Sequence, residues 1–361
     1  MEYFQDYPIQ EKVKERFIKS ITNDRLAHAY LFYGSEGCGK EVFALELAKA
    51  LNCEHDTLRP CNSCPSCQKI TQFNHPDIKF VFPTPKNCSE TELKKCITLK
   101  VENIYSKIKL SGHTVIQIDR IRELQNEAKY SPYEAKKKVY IITDAEKMTR
   151  EGANAFLKLL EEPPDSLLII LITSALKALL TTIRSRCQMI YFSVLNNDEV
   201  KSIVNKYVTI DDSIESIIHL AQGSIKTVFE MTEENFDEKR KLVLQYLRAV
   251  AAGDAINITE VVDIITRQKD KNYLKDMLNL LILWFKDTIH IKNIGSDTRI
   301  INIYFINEIK RFIQNYNDSN FDSIVNDIED AIININRNVS SPLILTTLAF
   351  RIKRNLIKVR K

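Results

Sequence analysis

Glycine is scarce in this chain, with eight in 361 residues. Such economy points to a helix-rich protein and makes any glycine cluster the answer to a local backbone need. Long apolar runs are also missing: none reaches the ~18 residues a membrane helix requires, so no membrane partner is expected. The opening stretch MEYFQDYPIQEK holds no apolar signal core, and a cytoplasmic location is the expectation. A strong charge imbalance is absent too. The formal charge of +4 leaves local basic patches open and decides nothing about nucleic acid. No internal repeat or low-complexity linker breaks the chain. The remainder is ordinary for a soluble globular protein, 44% hydrophobic and 27% charged, and long enough for two or three domains with cores of their own.

Eight cysteines in a cytosolic chain argue for metal or free thiols rather than disulfides. Four stand together in CEHDTLRPCNSCPSC, at Cys53, Cys61, Cys64 and Cys67. Their C-x7-C-x2-C-x2-C spacing fits a closed tetrahedral Zn²⁺ site with a structural role. Four buried free thiols would be the alternative, and the proline and polar residues between them speak against it. His55 lies inside the loop, but four sulfurs already complete the shell. Cys88 and Cys96 stand too far away to join it, and Cys38 reads as a small loop residue.

Three of the eight glycines fall in YGSEGCGKE, at Gly34, Gly37 and Gly39. With Lys40 they follow the phosphate-loop pattern G-x-x-x-x-G-K-[ST] until its last position, where Glu41 replaces the hydroxyl. The apolar run AHAYLFY precedes the loop, and EVFALELAKAL follows with Val42, Phe43, Leu47 and Leu51 on one helical face, the strand–loop–helix context such a loop requires. In an active loop, backbone N–H groups and the helix N-terminus cradle phosphate, the lysine offsets its charge and the hydroxyl helps hold Mg²⁺. Glu41 removes that last part and adds a negative charge. The plainer reading is a tight turn kept by the fold. A second stretch, KVYIITDAEKM, supplies Asp144 as the acid that could hold a Mg²⁺-bound water. Ala145 stands where a water-activating glutamate is needed, and Glu146 reads as an exposed acid at a helix start. Two losses point the same way: this chain is not expected to hydrolyse ATP.

Thr173 ends the run LLIILIT, either as a polar residue sensing a γ-phosphate or simply as a strand end. Beyond it, TTIRSRCQ carries Arg184 and Arg186 on a loop from which an arginine can reach a phosphate across a subunit boundary. A surface salt bridge is the alternative. Short apolar runs at 78–82, 138–143, 167–173 and 189–193 read as buried strands, and helical patterns between them imply a parallel α/β sheet. Residues 84–110 read as a polar insertion. After about 195 the strand signal ends. The organisation expected is an α/β domain over 1–193 with the cysteine loop 53–67 inside it, a small helical domain over 194–237 and a helical domain over 238–361.

RLAHAYLFYGSEGCGK, the four cysteines, ANAFLKLLEEPP and TIRSRCQ together resemble the bacterial clamp-loader subunits of DNA polymerase III, over about residues 5–230. That family includes the ATP-hydrolysing gamma/tau and the non-hydrolysing delta-prime subunits. Glu41 and Ala145 place this chain beside delta-prime, with a gamma/tau-like ATPase of divergent loop as the alternative. The resemblance implies an AAA+ domain, a helical lid and a C-terminal helical collar. By the same resemblance Arg186 is an arginine finger acting in trans, and the cysteines hold zinc. The implied partners are gamma/tau and delta subunits, the sliding clamp and primer–template DNA, and any polymerase label belongs to the holoenzyme. ATP or ADP in the chain's own loop is left open. Lys226 stands where a motor subunit carries a sensor arginine, and Arg120 and Arg122 face either DNA phosphates or solvent.

Overall fold

The computed structural model describes residues 1–357 apart from 107, 109, 111, 211, 234–235, 268–270, 295–304 and 338. The chain forms two compact units, Met1–Thr209 with Ala221–Glu230, and Ile210–Leu220 with Met231–Lys361.

The first unit carries the strands β1 (Glu2–Tyr3), β2 (Ala29–Gly34), β3 (Leu58–Arg59), β4 (Ile78–Val81), β5 (Lys138–Ile142), β6 (Leu167–Thr173) and β7 (Gln188–Phe192). Five of them form one sheet in the order β4-β5-β6-β2-β7, every pairing parallel. Parallel neighbours need long crossovers, usually helical. Here they contain α2 (Lys40–Asn52), α3 (Pro65–Thr71), α4 (Glu90–Glu102), α5 (Ile118–Ala128), α6 (Arg150–Glu161) and α7 (Thr181–Arg184), while α1 (Glu11–Thr22) precedes β2 and α8 (Asn197–Val204) follows β7. β5 and β6 are buried along their whole length, as strands covered on both faces should be. β1 pairs separately with β3.

Tyr33 lies opposite both Thr173 and Tyr191, and Ile142 opposite Leu171. The carboxyl ends of β2, β5 and β6 therefore share one edge of the sheet. β2 sits between β6 and β7 while the next strand of the sheet, β4, lies at the far edge. The chain thus changes direction across the sheet at β2, the kind of place where open α/β sheets bind ligands.

Three expectations from the sequence need correction. β7 is not a buried strand: it lies at the edge, with Met189 and Tyr191 exposed and only Ile190 and Phe192 buried, a period of two. α2 buries more than one face, including Ala44, Leu45, Ala48 and Ala50, because it packs on β5 and β6 and is also covered by β3 and α3. Residues 84–110 are more than a polar excursion. Ser89 starts α4 with a capping box, and Cys96, Lys100 and Tyr105 are buried; 107 and 109 lie outside the described residues.

In the second unit every described element is a helix: α9 (Asp212–Leu220), the end of α10 (Ile225–Glu233), α11 (Phe236–Ala252), α12 (Ala255–Thr266), α13 (Lys271–Ile294), α14 (Ile306–Tyr316), α15 (Phe321–Asn336) and α16 (Ser341–Asn355). Leu278, Leu281 and Phe285 of α13 and Ile324 and Ile328 of α15 are buried in its core, each stabilising by roughly 1.5–3 kcal/mol. Tyr246 of α11 donates its hydroxyl to the Leu345 carbonyl at 2.7 Å. Asp254 caps α12 by accepting from the Ile256 and Asn257 N–H groups. Among the described residues no helix is long and apolar enough to cross a membrane.

Candidate nucleotide cleft, cysteine cluster and arginine loop

The glycine loop leaves β2 at the shared edge and enters α2 directly. Gly37 and Gly39 have φ of +76° and +93°, a region that favours glycine. Space is short as well. A Cβ on Gly37 would lie 2.1 Å from Ser224 Oγ, and one on Gly39 2.6 Å from the Tyr7 hydroxyl. Among the described residues the backbone N–H groups of Gly37 and Gly39 meet no acceptor. Lys40 is buried, and its ammonium donates to the Gly34 carbonyl at 2.8 Å and to the Ser35 carbonyl.

Gly37, Gly39, Lys40, Asp144 and Thr173 line a single cleft, and Gly34 joins them through its bond to Lys40. Asp144 ends the β5 segment with a left-handed φ of +46°, and its Oδ2 pairs with Lys147 at 2.8 Å. Ala145 is buried. Thr173 is buried as well, and its hydroxyl accepts from the Ala175 N–H at 3.0 Å. Glu146 departs from the expected exposed acid. It is half-buried, with one carboxylate oxygen shielded and unpartnered, and it does not line the cleft.

The residue that sequence reasoning missed is Lys100. It comes from the end of α4, in the insertion, and its ammonium lies 2.7 Å from Glu41 Oε2 and 2.8 Å from the Ile104 carbonyl oxygen. Its side chain is 6% exposed against 28% for Glu41. Ile104 and Tyr105 of the same segment also line the cleft. Nothing local signals the pairing, because 59 residues separate the partners.

Lys226 reaches the same cleft from the first turn of α10 and pairs with Glu36. The Ile225 N–H donates to the Gly37 carbonyl at 3.1 Å. Burial disfavours the Lys226 charge, but Glu36, Glu41 and Asp144 outweigh it and raise its pKa above the ordinary lysine value.

The four cysteines form one cluster, with their sulfurs within 4.8 Å of one another. Tetrahedral Zn–S bonds of ~2.3 Å place sulfurs about 3.8 Å apart, so the set needs only a small contraction to fit. Cys53 caps the end of α2 and Cys64 the start of α3. The Cys64 N–H donates to Cys61 Sγ at 3.3 Å and the Cys67 N–H to Cys64 Sγ at 3.5 Å. Burial raises the Cys61 thiol, yet hydrogen bonds from Ser63 and Cys64 bring it down to about 6. The donors at Cys61 favour the thiolate, the form that binds metal, whereas burial pushes the Cys53 and Cys67 thiols up. His55 instead accepts from the Leu58 N–H at 3.2 Å and is not part of the cluster.

Arg186 follows the short helix α7, which Ile183 anchors in the core. Its guanidinium lies 2.7 Å from Glu161 Oε1 and donates to the Thr182 carbonyl at 3.0 Å. The side chain remains 36% exposed and is not among the residues lining the cleft with Lys40. Arg184 binds Thr181 Oγ1 at 3.0 Å, with its Nε shielded and unpartnered. On α5, Arg120 and Arg122 are exposed and pair with Glu123 and Asp119 of their own helix.

A five-stranded parallel sheet with a phosphate-type loop at the carboxyl end of β2, followed by helices, defines an α/β domain of the AAA+ P-loop kind. The family model described as "DNA polymerase III, delta subunit" matches residues 9–196. The DNA polymerase III subunit delta' of Bacillus subtilis is 31% identical over 298 residues, covering 81% of this chain and 80% of that protein. The gamma/tau subunit of Mycoplasma pneumoniae is 30% identical over 249 residues, 67% of this chain but 32% of that protein. Among solved structures, a DNA polymerase III gamma subunit-related protein from Thermotoga maritima shares 18% identity over 97% of this chain and 100% of that one, with a TM-score of 0.45. The chain belongs to the DNA polymerase III delta-type family, to which the gamma/tau subunits are related.

Proposed function

We propose that this chain is a delta-prime-type stator of a clamp loader. It completes the ATP site of a neighbouring gamma/tau subunit without hydrolysing ATP itself, and helps place the sliding clamp on primed DNA. One observation carries this reading. The position that should offer a hydroxyl to Mg²⁺ is Glu41, and its carboxylate is already engaged by the Lys100 ammonium at 2.7 Å. With Ala145 in place of a base, the attacking water has no usual protein partner and the metal keeps only Asp144 of its two. Arg186 is then the arginine finger: it is partly exposed, apart from the chain's own cleft, and held by a surface partner it can exchange. In this reading residues 1–193 are the AAA+ domain, 194–237 the lid and 238–361 the collar that joins gamma/tau and delta. The chain works in the cytoplasm as an accessory subunit, and polymerase activity belongs to the assembly. The cysteine cluster holds a structural zinc ion, with about one zinc per chain expected by elemental analysis for a single four-sulfur site; a metal-free native protein would refute that.

The alternative, a gamma/tau-like ATPase with a divergent loop, draws on the intact Gly37, Gly39 and Lys40. ATP turnover separates the two readings, measured on a loader reconstituted with gamma/tau, delta, clamp and primed DNA. Arg186→Ala is expected to slow the affected site by ~10³-fold, seen as a partial fall in the total, while Lys40→Ala leaves turnover unchanged. The opposite pattern would make this subunit a motor.

A further inference from the structure

We propose that the phosphate loop of this chain binds a nucleoside diphosphate without a divalent metal, the Lys100 ammonium standing where the metal would act. The proposal deepens the stator reading by naming the ligand of the site that does not turn over.

The anion side of the cleft is complete. The N–H groups of Gly37 and Gly39 have no acceptor among the described residues, and they precede α2, whose N-terminus carries a partial positive charge. Lys40 is buried beside them. The metal side is half closed. Of the two carboxylates that could hold Mg²⁺, Glu41 is paired with the buried Lys100 at 2.7 Å, while Asp144 has only an exposed pair with Lys147 at 2.8 Å. Mg²⁺ requires a near-octahedral oxygen shell and keeps several of its waters. A dication drawn to Glu41 would meet an ammonium already in place.

Lys100 can take over the metal's electrostatic part. An ammonium has three N–H donors. Two are engaged, by Glu41 Oε2 and the Ile104 carbonyl oxygen, and the side chain lines the cleft. The third donor can turn to a phosphate oxygen. Lys226 lines the cleft as well, so three lysines surround a diphosphate, offset by Glu36, Glu41 and Asp144. Lys40 already donates to the Gly34 and Ser35 carbonyls and to Cys38 Sγ, and would exchange one of these for a phosphate oxygen. Val42, Ile104 and Tyr105 add an apolar wall, which favours a nucleotide over a bare polyphosphate. The insertion and the glutamate, two separate departures in the sequence, thus account for each other: the first supplies the cation that the second requires.

The test is calorimetric titration of the full-length chain with ADP, once in EDTA and once in excess Mg²⁺. Binding is expected in EDTA and should stay within about twofold on adding metal, far less than the tenfold that 1.4 kcal/mol represents. Lys100→Met, which keeps the buried stem, should weaken metal-free binding by roughly tenfold or more through loss of a charge-assisted bond. Glu41→Thr combined with Lys100→Met should bind more tightly with Mg²⁺ than without. No binding in either buffer, binding that requires metal in the natural chain, or a double variant indifferent to Mg²⁺ would each overturn the proposal. Failure here leaves the stator reading intact, since that reading is measured on the neighbour's turnover.

Discussion

The nucleotide cleft and the arginine loop both display basic side chains, but they hold them differently. In the cleft Lys100 is 6% exposed, and its partner Glu41, in the first turn of α2, is 28% exposed. On the arginine loop the pair is open, 36% exposed for Arg186 and 48% for Glu161. A desolvated ammonium cannot leave its carboxylate without a large penalty. A solvated guanidinium exchanges partners at a cost of about 0–1 kcal/mol. The difference separates a buried charge that keeps its partner within the chain from an open one that can exchange its partner.

Substitutions graded by burial should sharpen this contrast. Lys100→Met is expected to have the largest effect, lowering the unfolding free energy by about 2–3 kcal/mol, because it strands a partly shielded carboxylate; denaturant melts would show it as a lower midpoint with an unchanged slope. If stability holds, the cleft pair is no more fixed than the surface one. Lys226→Ala comes next, at about 1 kcal/mol or less, since its partner Glu36 is 60% exposed and screened. The sign of its pH dependence follows from its raised pKa. The contribution is fully present below the ordinary lysine value of ~10.4 and fades only as pH rises through the higher folded value. The gap between Lys226→Ala and the natural chain should therefore be constant across neutral pH and narrow in strong alkali. Glu161→Gln should be the smallest, within about 0.5 kcal/mol in thermal melts. A loss comparable to that of Lys100→Met would mean that Arg186 is fixed to its own chain and unsuited to act on a neighbour.

What could be read in the sequence was local. Strand, loop and helix at 27–52 follow from neighbouring residues, and so do the missing hydroxyl and the missing base, because each is a property of one position in a motif. The cysteine quartet was legible for the same reason, and Cys53, Cys61, Cys64 and Cys67 do converge. What escaped was set by partners distant in sequence. The edge position of β7 depends on which strand β2 accepts as its other neighbour, and the full burial of α2 depends on the cysteine segment folding back over it. Glu146 also has a partner distant in sequence, Ser174, whose hydroxyl stands 3.5 Å from its carboxylate. Lys100 is the clearest case: one lysine among several in a polar stretch, with no periodicity or spacing to tie it to Glu41.

That pairing also constrains how this sequence can change. Restoring a threonine at position 41 by itself leaves the Lys100 ammonium enclosed without its carboxylate. Replacing Lys100 first leaves Glu41 facing the phosphate loop uncompensated. Either order passes through a less stable intermediate, so the two residues act as a mutational ratchet. A chain carrying both residues cannot exchange either one alone without stranding a charge, so the two positions are tied to change together or not at all.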